Sequence, residues 1–572
     1  MAEPVRTRTS RGGAGEPVAL WILFPLFFAA VYLSHLTLLR LPYFWDEAGY
    51  YIPAAWDFFR TGTPIPQTTA TNAHPPLPSI LLAAWWRLSG FVPSGTRTLV
   101  CMVAAAALLA VFRLARCLLG TPAAIATTLL TAIYPIWFAQ STLAHADIFA
   151  AAFTLWGLAL YLEPVTNPGA PSFAVPSRRV GYSRPARTAL FYSATLFSLA
   201  ALSKETAVIT PTALALWEGF VLLRERRGEG DSRVRITQSL QWIAALLTPI
   251  LPLTLWYAYH FHRTGFVFGN PEYLRYNATA NLDAHRIALC LYHRFLHLTM
   301  HMNMFVPVTC AVAAFFIPAI PDRPHLSKQT ARAIAVILVA NWIAFSVLGG
   351  ALLTRYLLPM YPLVLLVCVA EWQRHVRAWG WLAAFSAAAF LCGIWINPPY
   401  AFAPEDNLTY RDFIVLHQRA VALIAQNWPQ ATVLTAWPAV SELERPELGY
   451  TKLPIKAFAI KDFSFDEIEQ AAADPDDYDT ALLFSTKWAP PSGALDLARH
   501  HAPGASDPDT RYFDFHEDLS PAEAATLLHG QLVWQAHTRG EWVAILRFPR
   551  IVNASLQATG LRKGITLRPP PA

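Results

Sequence analysis

The sequence has 572 residues, with 44 Lys and Arg against 38 Asp and Glu for a formal charge of +6. Only 14% of residues are charged and 54% are apolar, with a mean hydropathy of +0.33. A soluble domain carries about 25% charged residues, so a soluble enzyme, a disordered chain and a nucleic-acid-binding protein are excluded. The fold class expected is a polytopic α-helical membrane protein with a C-terminal soluble α/β domain.

In chain order, Arg6, Arg8 and Arg11 precede an uncharged run, Val18–Leu39, that no small-residue cleavage site follows. It reads as a retained first span, not a removed signal peptide. Further apolar stretches, long enough to cross a hydrocarbon layer of about 30 Å, predict eleven spans near 18–39, 98–112, 118–139, 148–162, 188–203, 206–223, 237–259, 302–320, 333–353, 356–371 and 378–396. With the N-terminus inside, nineteen basic residues fall on inner segments, among them Arg113, Arg116, Arg178, Arg179, Arg184, Arg187, Arg226 and Arg227. Ten fall on outer loops, including Arg87, Arg286, Arg294, Lys204 and Arg355. That bias predicts a cytoplasmic N-terminus in the inner membrane and an extracytoplasmic, periplasmic tail. Pro75–Leu88, at about 14 residues, is expected to lie on the outer surface as a helix.

Composition changes near Pro398. Residues 398–572 hold 15 basic and 22 acidic residues, so three regions are expected: a cytoplasmic tail 1–17, a membrane domain 18–397 and a soluble domain 398–572. All six cysteines precede the boundary, without metal-ligand spacing. In the tail, Ser464 to Glu467 and Ser520 to Glu523 have the form of capping boxes, the second with Pro521 at the first helical position. Val433–Ala436 and Thr480–Ser485 read as buried strands, and Leu532–Ala536 with Trp542–Phe548 as a hairpin.

This topology puts the conspicuous polar residues on one side. The first outer loop holds Asp46, Glu47 and His74, the second Asp147, the third Lys204 and Glu205, and the turn before the tenth span Arg355 and Tyr356. Moving a sugar from a lipid phosphate to a hydroxyl needs a carboxylate to take the acceptor's proton, a task for Asp46 or Glu47. It also needs cations against the charge growing on the departing phosphate, a task for Lys204, Arg355 and His74. Each residue also has a plain structural reading. Asp147 suits an N-cap, Arg355 suits an interfacial anchor, and Lys204 suits a pair with Glu205.

The motifs resemble a known family. Trp45-Asp46-Glu47 with its aromatic helix up to Gly62, His74-Pro75-Pro76, the stretch Phe138 to Asp147, and Arg355-Tyr356-Leu357-Leu358-Pro359 are similar, in order, to the loop motifs of GT-C glycosyltransferases of the protein O-mannosyltransferase and lipid A aminoarabinose transferase type. The resemblance implies an inverting transfer from a polyprenyl-phosphate sugar to an acceptor hydroxyl of a lipid, glycan or protein, among membrane lipids. It implies Asp46 as base with Glu47 beside it; His74, Lys204, Arg355 and Tyr356 are expected at the donor phosphate, and Asp147 is expected to bind substrate. No cofactor is expected to be required, and no metal is assigned. The alternative is a transporter or flippase of a lipid-linked envelope precursor, although neither paired repeats nor interrupted helices are expected from this sequence.

Overall fold

The computed structural model describes residues 20–163, 187–225, 232–269, 282–348, 352–485 and 518–548. The expected tail 1–17 and Arg178, Arg179, Arg184, Arg226 and Arg227 lie outside the described residues.

Helices stand in every apolar segment. In chain order they are α1 (Leu20–Ser34), α2 (Ile52–Thr61), α3 (Leu77–Ser89), α4 (Pro93–Leu119), α5 (Thr121–Ile133), α6 (Pro135–Gln140), α7 (Ala146–Leu162), α8 (Arg187–Ser203), α9 (Ile209–Glu225), α10 (Ser232–Leu247) and α11 (Ile250–Thr264). There follow α12 (Ala284–Thr299), α13 (Phe305–Phe315), α14 (Lys328–Val347), α15 (Tyr361–His375) and α16 (Gly380–Trp395). Among the described residues, four helices are long and apolar enough to cross a membrane. A bent pair, α12 with α13, makes a fifth if the two are counted as one span.

Three differences from expectation have clear causes. The break after the second apolar segment falls at Gly120 (φ 90°) and not at 113–117, so Arg113 and Arg116 ride on the last turns of α4. Residues 284–299, expected as outer loop, are helical; one face buries Arg286, Cys290, Arg294 and Leu298 at four-residue spacing. α12 and α13 meet at a bend of 100°. The interrupted helix was not expected because no Gly or Pro marks the break. Met302 and Asn303 instead take positive φ values of 46° and 66°.

α4 is the central post. Its buried face is rich in alanine (Ala104, Ala105, Ala107, Ala110, Ala115), and small side chains let helices approach closely, here α1, α5 and α7. α7 and α8 close similarly at Gly157, where a Cβ would meet the Phe197 ring at 2.8 Å. α2 and α3 lie against each other through Trp56, Phe59, Trp86 and Phe91, with Trp56 and Phe91 stacked at 4.3 Å.

The tail forms a five-stranded sheet in the order β2-β1-β3-β5-β4. The strands are β1 (Val433–Ala436), β2 (Ala457–Ile460), β3 (Thr480–Phe484), β4 (Gln531–Thr538) and β5 (Glu541–Arg547). β1 runs parallel to both β2 and β3, with Val433 opposite Ala457 and Thr480. β5 is antiparallel to β3 and forms the expected hairpin with β4. Strand β2 and the long helix α17 (Thr409–Asn427) are additions to the elements expected. Ser520 forms its capping box with Glu523. Ser464 occupies its N-cap position without a side-chain bond, because Asp462 holds its N–H and Glu467 reaches the Lys461 N–H.

The sheet domain sits directly on the first loop. Tyr450 donates to the Tyr43 carbonyl at 3.0 Å, the Tyr43 N–H donates to Leu448, and the Trp437 indole covers Gly49. A Cβ on Gly49 would lie 2.3 Å from the indole nitrogen, so only glycine lets the two segments meet.

Candidate active site

The first loop separates two adjacent carboxyl groups. Trp45 has φ 44°, and the residues after it wind into a π turn, Glu47–Tyr51. Glu47 is directed inward and is fully buried. It accepts from the N–H groups of Phe44 at 2.8 Å and Ala144 at 2.6 Å, and pairs with Arg97 at 3.2 Å. Arg97 also donates to the carbonyls of Pro42 and Thr142. Glu47, expected to be catalytic beside Asp46, is thereby engaged on both oxygens within the fold and holds the loop in place. One residue earlier on the helical path, Asp46 points elsewhere; its side chain is 28% exposed and is bound by the Arg355 guanidinium.

Arg355 lies in the short turn Thr354–Leu357 between α14 and α15 and is 2% exposed. Its guanidinium faces three carboxyl groups: Asp46, Glu405 and, with Nε 3.3 Å from the oxygen, Asp147. Asp147 is the second residue of α7, whose N-cap is His145, so the N-cap reading of Asp147 does not hold. The Lys204 ammonium, just past the end of α8, donates to Asp147 at 2.6 Å and sits 3.9 Å above the Tyr356 ring. Lys204 therefore does not pair with Glu205, nor is Arg355 an exposed anchor. A small, partly open cavity lies here, its lining including Asp147, Lys204, Arg355, Tyr356, Thr210 and Asn341.

His74 is not brought to this cavity. Its Nδ1 lies 2.9 Å from Glu205, and its ring stacks on Tyr51 at 6.0 Å. Of the residues expected at a phosphate, Lys204, Arg355 and Tyr356 converge and His74 stands apart from them, already engaged by a carboxylate.

Three residues of the centre were not anticipated. Glu405 and Asp406 follow Pro404 in a tight turn, only a few residues into the expected soluble domain. Asp406 accepts from His301, at the helix bend, at 2.8 Å and from the Thr354 hydroxyl. Glu405, 3% exposed, is pushed up to about 8 by burial and by Asp46, Asp406 and Asp147, against the pull of Arg355. His145 bonds Gln140 at 2.9 Å. Burial and the cations Arg355, Lys204 and Arg97 drive its imidazole well below the ordinary range, so it is neutral. An acidic pair directly after an apolar segment, as in Trp45-Asp46-Glu47, is the signal that could have found Glu405 and Asp406.

Comparison with known proteins matches this geometry to a family segment and a fold. Residues 73–168 match the model of the dolichyl-phosphate-mannose-protein mannosyltransferase family. No curated protein matches the sequence. The structure is similar to that of ArnT from Cupriavidus metallidurans bound to undecaprenyl phosphate, with a TM-score of 0.53 at 14% identity, covering 92% of this chain and 98% of ArnT. The apo state of ArnT gives the same values. An oligosaccharyltransferase of Archaeoglobus fulgidus, in complex with Zn and sulfate, aligns at a TM-score of 0.43 and 11% identity, over 81% of this chain and 68% of its own. The chain thus shares the fold of ArnT, and residues 73–168, which include His74 and Asp147, match the mannosyltransferase family model.

Proposed function

We propose that this chain, a GT-C-fold membrane protein, is an inverting glycosyltransferase. It moves a sugar from a polyprenyl-phosphate-linked donor to a hydroxyl of a lipid, glycan or protein on the outer face of the cytoplasmic membrane, with the domain 398–572 on that same side. The observation that carries the reading is the cavity in which Lys204 and Arg355 meet, with Asp46 on the same guanidinium. The ArnT structure bound to undecaprenyl phosphate supports the donor class.

In this scheme the phosphate is held by Lys204 as a point charge and by Arg355 as a fork. Tyr356 supports the Lys204 ammonium through its ring face, and Asp147 orients both cations. Asp46, the most open carboxyl of the centre, takes the proton as the acceptor oxygen attacks the anomeric carbon. The bond from that carbon to phosphate oxygen breaks, and the electron pair leaves on the phosphate, whose growing charge the two cations offset. As proposed, the reaction needs no cofactor. The bend at His301 serves this centre through Asp406, which favours the enzyme over the transporter reading.

Asp46→Asn tests the scheme. Transfer should fall by about 10²–10⁴-fold, the usual worth of a general base, while undecaprenyl phosphate binding persists. Turnover at the wild-type rate would reject the assignment.

A further inference from the structure

Acidic groups outnumber cations at the Arg355 centre. Lys204 and Arg355 face Asp46, Asp147 and Glu405, and Asp406 on the adjoining residue is engaged by His301 and Thr354. His145 comes within 3.9 Å of Glu405 but spends the same nitrogen on Gln140. Both terminal guanidinium nitrogens of Arg355 that would fork onto a phosphate are thus held by carboxyl groups before any ligand arrives. Bringing a further anion to such a centre requires one carboxyl group to give up its charge and its hold. Asp46 is reserved for the acceptor, and Asp147 is fixed by Lys204. Glu405 remains: it is buried, attached to Arg355 through one oxygen, and its second oxygen has no hydrogen-bond partner among the described residues.

We propose that Glu405 is a positioning residue for the anionic donor: ionised, it holds Arg355 in the empty site, and only in its protonated form does it release that nitrogen to the incoming phosphate. The proposal rests on the reading of Arg355 as the phosphate-binding group. The proton goes onto the Glu405 carboxyl, no bond between heavy atoms changes, and the net charge gained offsets that of the phosphate. Its raised position, about 8, sets the pH at which uptake becomes visible. Below it the group already carries the proton; above it, each ligand bound must bring one in, and affinity falls with rising pH.

The experiment uses the full chain in lipid nanodiscs and the methyl ester of undecaprenyl phosphate, a phosphodiester of constant charge between about pH 6 and 10. Wild-type affinity should be flat up to pH ~8 and fall about tenfold per pH unit beyond it. Glu405→Gln should show no such fall and bind about tenfold more tightly than wild type near pH 9. Calorimetry of the wild type in two buffers of different ionisation enthalpy should report uptake of about one proton per ligand near pH 9, a measurement that needs no variant. Saturable binding with no proton uptake, or a Glu405→Gln profile identical to wild type, overturns the proposal and leaves the donor site standing. No saturable binding at any pH overturns the donor-site reading itself.

Discussion

Arg97 and Arg355 are both almost completely buried, at 0% and 2% exposure, and both face a carboxyl from the Asp46-Glu47 pair. Arg97 is fully absorbed by its surroundings: one carboxylate, and the carbonyls of Leu41, Pro42 and Thr142. Arg355 meets three carboxyl groups, none of them wholly its own, beside a cavity. Burial of a cation therefore does not mark function. What differs is whether the bonds around it are complete without a ligand.

The largest effect expected follows from that contrast. Arg97→Ala leaves Glu47 buried without its cation, and losing one partner of a buried pair costs about 3–5 kcal/mol. Thermal unfolding in detergent should show most of the folded protein lost, and a near-normal melting temperature would remove the structural role of this pair. Next is Arg355→Lys, which keeps the charge and loses the fork. Donor affinity and single-turnover rate should fall about ten- to a hundredfold, or roughly 1.5–3 kcal/mol, with little change in melting temperature. Arg87→Lys, an exposed residue on α3 over the Phe59 ring, is the control and should be silent. If the two variants behave alike, Arg355 has no part in donor binding and its role is confined to pairing with the carboxyl groups around it.

The smallest effect concerns a buried carboxyl that has no cation beside it among the described residues. Glu541 of β5 accepts from the Ser485 hydroxyl at 2.6 Å and is pushed up to about 7, chiefly by burial. A carboxyl raised in the folded state binds more protons there than in the unfolded chain, so stability falls as pH rises from the ordinary carboxylate range to about 7. Glu541→Gln should flatten that fall and stabilise the tail at neutral pH by about 1–2 kcal/mol. An unaltered pH profile of melting temperature would show that burial alone does not control this group.

Much of this arrangement could be read from local signals. Uncharged runs bracketed by arginines locate the helices, and the bias of the brackets gathers Asp46, Asp147, Lys204 and Arg355 on one side. Capping at Ser520 and the β4–β5 hairpin are equally local. Glu405 and Asp406 were hidden because they stand beyond the change in composition at 398, where a charge normally means solvent. Their partners, Arg355 and His301, are 50 and 105 residues away. The same blindness explains α12, whose His and Arg residues look like a wet loop until other segments bury Arg286 and Arg294. Adjacent Asp46 and Glu47 are indistinguishable in sequence; only the backbone twist at Trp45 assigns one to the core and the other to the cavity.

The bond from Arg355 to Asp46 joins residues 309 positions apart, and the turn bearing Glu405 comes later still. During synthesis the first loop therefore exists long before the residues that complete its centre. A ribosome must deliver α14, α15 and α16 before Glu405 and Asp406 can reach Arg355, and Trp437 must then seat against Gly49. The nascent protein is consequently without its centre until nearly the whole helical part has been made, so a chain that stops before the Pro404 turn lacks the Glu405 and Asp406 side of the Arg355 centre.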